Sequence, residues 1–184
     1  MVKKALVCLA DKAEDTEVVI TVDTLRRAGI EAILAGVQGS EPVTCVENIR
    51  IVPDLDIDQC QNDLFDVVVL PGGPGYQNLQ NSSTVASIVQ KHWEHNKKIA
   101  AICAGTKVLK SFKIGLGSNI TTFSKYKQDL ADSYKVSDDR VVVDGNLITS
   151  QCPGTAFEFG LSIVKELCGQ EKSNEIAQML KINC

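Results

Sequence analysis

Histidine and aromatic side chains are scarce in this chain of 184 residues: two histidines, and 5% Phe, Trp and Tyr together. Both histidines, His92 and His95, stand before the strand that ends at Cys103. At ~3.3 Å per strand residue they lie about 15 Å from its far end, which argues against a Cys-His-Glu triad of the amidotransferase or protease kind within one subunit. The His92-Trp93-Glu94-His95 cluster is expected to be a solvated helix end, and no metal site is expected. Long apolar runs are missing too. Ala5 to Ala10 follows two lysines but runs into Asp11, which suits neither a secretion signal nor a span of roughly 18 apolar residues.

The seven cysteines form no CxxC and no regular spacing. An odd, irregular set argues against a disulfide framework and for reduced thiols, so a cytoplasmic protein is expected; no mitochondrial or nuclear address is visible. Neither GxGxxG nor GxxxxGK[ST] occurs, so no phosphate loop and no nucleotide cofactor is expected. Net charge is −4 with no block of one sign. Lys3-Lys4 and Lys97-Lys98 are too short for a nucleic-acid or membrane patch.

What is present is an ordinary soluble composition, 44% hydrophobic and 23% charged, on a length that suits a single domain over 1–184. Strand and helix patterns alternate. Strands are expected at 4–9, 31–35, 66–70, 98–102 and 120–123, and one or two short ones at 44–52. A hairpin is expected from 140–143 and 147–150 around Asp144-Gly145. Helices are expected at 14–28, with Val18, Val19, Val22 and Leu25 as its apolar stripe and Gly29 as its stop. Further helices are expected at 83–95 behind a Ser82 or Ser83 cap, at 105–112, 155–168 and 173–181. Buried strands alternating with helices imply an α/β fold, a mostly parallel sheet covered on both faces, with ligands at the carboxyl ends of the strands.

Three segments fall at those ends: the turn after Leu9, Gly72-Gly73, and Cys103. Cys103 follows Ile99-Ala100-Ala101-Ile102 and precedes Ala104-Gly105, the strand–nucleophile–helix layout of an elbow. A thiol at a helix start is expected to ionise more readily, and the thiolate is the reactive form. The N–H groups of Gly72, Gly73 and Ala104 are candidates for an oxyanion pocket. One of Glu14, Asp15 and Glu17 is expected to turn toward the sulfur. Glu17, one residue before the apolar stripe, has a suitable direction, and a carboxyl beside a thiolate is expected to stay protonated.

Several segments together resemble the Parkinson disease protein 7 family of the ThiJ/PfpI superfamily. They are 5–7, Ala13-Glu14-Asp15-Thr16-Glu17, Arg26-Arg27-Ala28-Gly29-Ile30, 66–73, Ala100-Ala101-Ile102-Cys103-Ala104-Gly105 and Pro153-Gly154-Thr155-Ala156-Phe157-Glu158-Phe159, in order over nearly the whole chain. The resemblance implies a flavodoxin-like three-layer fold and a homodimer. It puts the reactive cysteine at Cys103, the protonated glutamate at Glu17, the backbone pocket at Gly73 and Ala104, and a peripheral cysteine at Cys45. It also implies cofactor-free, glutathione-independent glyoxalase activity, repair of glycated proteins, and oxidation of the cysteine to a sulfinate under oxidative stress.

This sequence departs from the family pattern at three places. Thr121-Thr122-Phe123 stands where many members have Thr-Thr-His, and Phe123 cannot transfer a proton. Gln151-Cys152 replaces an Arg-Gly pair and brings Cys152 forward as a second thiol for oxidation. The loop Pro74-Gly75-Tyr76 is one residue shorter. The leading expectation is a lyase acting on methylglyoxal or glyoxal, or on their early adducts, through Cys103 and Glu17. Its rival is a non-enzymatic peroxide sensor that uses the same thiolate, with chaperone-like activity as a further reading that has no sequence feature of its own.

Overall fold

The structure, a computed structural model, describes residues 2–182; Cys184 lies outside the described residues. The main sheet takes strands β1 (Lys4–Leu9) and β2 (Glu31–Gly36) from the first third of the chain. Strands β3 (Val43–Thr44) and β4 (Arg50–Ile51) pair with each other outside it, as a small antiparallel ribbon. The main sheet resumes with β5 (Leu55–Asp56), β6 (Val67–Leu70) and β7 (Lys98–Ile102). Strands β8 (Asn119–Ile120) and β9 (Lys135–Val136) form a second short pair, and β10 (Val141–Asp144) and β11 (Leu147–Ser150) are the expected hairpin.

The order in the main sheet is β10-β11-β7-β6-β1-β2-β5. Every pairing is parallel except β10 with β11. The strand side chains alternate between two apolar layers. Ala5, Val7, Leu9, Val67, Val69, Ala100 and Ile102 face one, while Leu6, Cys8, Val68, Leu70, Ile99 and Ala101 face the other. Helices α1 (Asp15–Arg27), α6 (Ala156–Cys168) and α7 (Gln170–Leu180) cover the first face. Helices α2 (Tyr76–Asn81), α3 (Ser83–Glu94), α4 (Thr106–Ser111) and α5 (Lys127–Leu130) complete the set, and Leu79, Val85, Ile88, Val108 and Leu130 supply their share of the second layer. This is the α/β class expected from the strand and helix rhythm, in the three-layer, flavodoxin-like form that the resemblance implied. No helix is long and apolar enough to cross a membrane among the described residues.

Several expectations change. Val19 is about half exposed and stands outside the apolar stripe, whose inward members are Val18, Val22 and Leu25. Helix α2 was not expected, and β5 adds an edge strand. The strand expected over 120–123 stops at Ile120, because Thr121 and Thr122 turn their hydrogen bonds toward other segments. Ser82 rather than Ser83 caps α3, its hydroxyl accepting from the Val85 N–H at 3.2 Å.

The largest correction in this region is His92, a fully buried core residue rather than a solvated helix end. Its Nε2 accepts from the Phe65 N–H at 2.8 Å, so its Nδ1–H donates to the Ile88 carbonyl at 2.6 Å. Burial pushes its pKa down, consistent with a neutral ring fixed in one tautomer.

Candidate active site

Strands β1, β6 and β7 are neighbours and parallel, so the loops that follow them meet at one edge of the sheet. Those loops carry Gly72-Gly73 and Cys103, and the one after β1 leads into the first turn of α1, which carries Glu17. At the end of β7 the backbone turns sharply. Ile102 is still extended, whereas Cys103 has φ +57°, a left-handed conformation that costs an ordinary residue roughly 1–2 kcal/mol. A one-turn helix over Cys103–Gly105 then leads directly into α4. The turn holds the side chain at the sheet edge, 8% exposed.

The strained turn is held from below by two buried threonines. Thr106 Oγ1 donates to the Cys103 carbonyl at 2.7 Å, and Thr122 Oγ1 reaches the same carbonyl at 3.3 Å. The two hydroxyls are 2.7 Å apart and hydrogen-bonded. The Thr121 N–H donates to Thr149 Oγ1 at 2.9 Å, which ties this segment to β11. Sequence reasoning passed over Thr106 and gave Thr122 no role beyond its place in Thr121-Thr122-Phe123; no local pattern marks either as a clamp.

Of the three acidic candidates, Glu17 is the one that turns inward. It has no exposed surface, and its Oε2 accepts from the Gly72 N–H at 2.7 Å. Its Oε1 has no nitrogen or oxygen partner, and the carboxyl's other interaction is with the Cys103 side chain. Asp15 is also buried but looks the other way, accepting from the N–H groups of Glu47 and Ile49 at 2.9 and 3.3 Å. Glu14 is partly exposed at the helix start.

Gly72 is forced to be glycine by this arrangement. A Cβ there would sit 2.8 Å from Cys103 Cβ, 2.8 Å from Glu17 Oε2 and 2.9 Å from the Ala104 nitrogen. Its N–H is committed to Glu17, so it is not the oxyanion donor that the Gly-Gly pair suggested. The N–H groups of Gly73 and Ala104, expected as donors to a substrate oxygen, point at the Cys103 sulfur instead, and both favour negative charge there.

The electrostatics differ from a simple activated thiol. Burial raises the Cys103 pKa, the opposite of the shift expected from a helix start, and a charged Glu17 would raise it further. Helix α4 has only six residues, too short to offset that desolvation. Glu17 is pushed up to about 8, chiefly by burial and only weakly by neighbouring charge. Both groups resist ionisation, and the first proton lost from the pair leaves one charge shared between them. The Gly73 and Ala104 amides draw that charge toward sulfur; the Gly72 amide draws it toward Glu17.

The two secondary thiols lie apart. Cys45 is fully buried after β3, with its pKa pushed up to about 11 by burial and by Asp15, Glu14 and Asp11, which opposes ready oxidation. Cys152 is partly exposed and follows β11. In the β11–β7 register Ser150 pairs with Ile102, so Cys152 leaves the sheet at the same edge as Cys103. No group of three or more metal-ligating side chains occurs among the described residues.

The chain matches the DJ-1/PfpI family over residues 3–166. It is 45% identical to protein dj-1beta of Drosophila melanogaster, over 99% of this chain and 98% of that one. It is 38% identical to the glutathione-independent glyoxalase DJR-1.2 of Caenorhabditis elegans, over 97% and 96%. The crystal structure of Drosophila melanogaster DJ-1beta superposes with a TM-score of 0.98 at 44% identity over the full length of both chains. Oxidized DJ-1 of Toxoplasma gondii superposes with a TM-score of 0.93 at 30% identity, over 99% of this chain and 100% of that one. The chain belongs to the DJ-1/PfpI family.

Proposed function

We propose that this protein is a cofactor-free, glutathione-independent glyoxalase that converts methylglyoxal to lactate and glyoxal to glycolate, and that also acts on their early adducts with proteins. The observation that carries the reading is the buried Cys103–Glu17 pair, a thiol and a carboxyl that together hold a mobile proton beside the sulfur. In the pair that has lost one proton, with the charge on sulfur and the remaining proton on Glu17, the sulfur adds to the aldehyde carbon, and the carbonyl π pair moves to oxygen. With its lone pair in the new bond, the sulfur no longer opposes a charge on Glu17, so the Glu17 proton passes to the alkoxide. The resulting carboxylate takes the proton from the former aldehyde carbon. It returns that proton to the adjacent carbon of the enediolate while the hydroxyl proton of the former aldehyde carbon passes to the neighbouring oxygen, leaving a thioester that water cleaves to the hydroxy acid. The relative named a glutathione-independent glyoxalase supports the same class.

The test is lactate production from methylglyoxal without glutathione. Wild type is expected to turn over; Cys103→Ser and Glu17→Ala are each expected to lose at least about 10²-fold in kcat. Activity retained in Glu17→Ala would reject the proton shuttle, and activity retained in Cys103→Ser would reject the nucleophile.

A second reading follows from the same pair. A protonated Glu17 is placed to donate to an oxidised sulfur, so Cys103 would also serve as a peroxide sensor that stops at the sulfinate. Its signature is a gain of two oxygens on Cys103 at low peroxide dose with no dicarbonyl turnover. The protein is further proposed to act as a homodimer.

A further inference from the structure

Addition of Cys103 to a carbonyl creates a negatively charged oxygen, and the backbone donors nearest the sulfur are already engaged. The Gly72 N–H is held by Glu17 at 2.7 Å, and those of Gly73 and Ala104 point at the sulfur itself. The remaining polar groups at the site mouth come from three segments. Tyr76 follows the Gly73 loop and opens α2. Tyr126 lies four residues past Thr122, whose hydroxyl reaches the Cys103 carbonyl. Lys107 is one helical turn past Cys103.

These groups form one cluster. The Tyr76 and Tyr126 rings are tilted with centroids 6.1 Å apart, and the Phe123 ring lies 6.1 Å from Tyr126 on another side. The Lys107 ammonium stands 4.8 Å from the Tyr126 ring centroid and 5.4 Å from that of Tyr76, and pairs with Asp129 at 3.1 Å. Both tyrosines pack against the apolar layer that contains Cys103 and Ala104. The hydroxyl of Tyr76 is bonded to Lys107, whereas the hydroxyl of Tyr126 shows burial and nearby charges but no hydrogen bond among the described residues. Tyr126 is electrostatically coupled to Cys103, and burial raises its pKa, which keeps the phenol protonated as a donor.

We propose that Tyr126 supplies the oxyanion donor of this site: its hydroxyl hydrogen-bonds to the oxygen of a carbonyl compound as the Cys103 sulfur adds to it, on a ring held in place by Lys107, Tyr76 and Phe123. The C–S bond forms from a sulfur lone pair, the C=O π bond breaks, and its electron pair goes to oxygen. Tyr126 keeps its own proton and donates only a hydrogen bond. The inference rests on the reading of Cys103 as a nucleophile toward carbonyls, and it gives Tyr126 rather than Phe123 the polar role in this segment.

The experiment compares wild type, Tyr126→Phe and Tyr126→Leu by two measurements. One is the equilibrium constant of the Cys103–methylglyoxal adduct, followed by intact-protein mass; the other is kcat for lactate. Tyr126→Phe keeps the ring contacts and removes only the hydroxyl. It is expected to weaken the adduct at least about 10-fold and to lower kcat by about 10²-fold, the usual effect of losing one oxyanion donor. Tyr126→Leu is expected to lose no less than Tyr126→Phe. An adduct in Tyr126→Phe as stable as in wild type overturns the proposal, whatever kcat does, and a defect confined to Tyr126→Leu shows a packing role and overturns it too. If wild type forms the adduct but makes no lactate, the glyoxalase reading falls and the adduct constants alone decide the role of Tyr126. If wild type forms no adduct, both fall.

Discussion

Glu17 concentrates the physics of this molecule in one side chain. A carboxyl with no solvent exposure, one backbone donor and a sulfur neighbour is poorly suited to carry charge, which is why its pKa rises to about 8. The shift also sets a pH dependence of stability. The folded state holds the proton where the unfolded chain, in the ordinary carboxylate range, has lost it. The native form therefore binds more protons between the two pKa values, and stability must fall as pH rises. This contribution is full below the unfolded pKa, declines above it, and is gone once pH passes about 8. Glutamine has the shape of the protonated acid and does not titrate. In urea unfolding at about pH 5 and about pH 9, wild type is expected to lose stability relative to Glu17→Gln, on the order of a few kcal/mol. Parallel curves for the two proteins would mean that Glu17 stays ionised in the folded state.

At the scale of elements, the site depends on an elbow that local sequence makes and distant sequence holds. Strand β7 and the turn after it were legible, because a dense apolar run followed by Cys-Ala-Gly admits few conformations. The clamp was not, because Thr106 and Thr122 are separated by the rest of α4 and by β8 and meet only through the tertiary fold. Helix α2 escaped notice for a related reason. Tyr76–Asn81 is short, mostly polar and preceded by glycines, and its one buried side chain, Leu79, shows no periodicity. Val19 and His92 were assigned by position on their helices, where a shift of one residue turns a side chain from core to solvent. Glu17 could be picked out as an inward candidate, but the commitment of the Gly72 N–H to it could not.

The clamp itself is testable with an isosteric change. Thr122→Val keeps the shape, leaves Thr106 with one hydroxyl contact fewer, and removes the 3.3 Å bond to the Cys103 carbonyl. The expected cost is about 1–2 kcal/mol in stability. A turn held in a left-handed conformation should also relax, with kcat falling several-fold and KM nearly unchanged. Unaltered kcat alongside lowered stability would separate the clamp from the chemistry.

At the scale of the whole molecule, the surface carries a feature that the single chain does not explain. Asp15 grips the backbone of Glu47 and Ile49, which brings the loop before β4 against the start of α1. Val19, one turn beyond Asp15, Ile49, and Val52 just after β4 are all substantially exposed, at 49%, 53% and 66%. Three apolar side chains in neighbouring segments are an unfavourable surface to leave in water, where burying each would contribute roughly 1.5–3 kcal/mol. The proposed homodimer gives them a cover. The helix that presents Val19 to solvent carries Glu17 on its opposite, buried face two residues earlier. A charge on this exposed surface, Val19→Arg, is expected to shift sedimentation from dimer to monomer at micromolar concentration. It should leave the fold intact, since Val19 contributes little to the core. Lactate production in the monomeric variant is then expected to fall, because α1 loses the support that fixes Glu17 beneath the sulfur. A variant that stays dimeric would move the interface to another face, and a monomer with full activity would show that the subunit holds its own Glu17 in place.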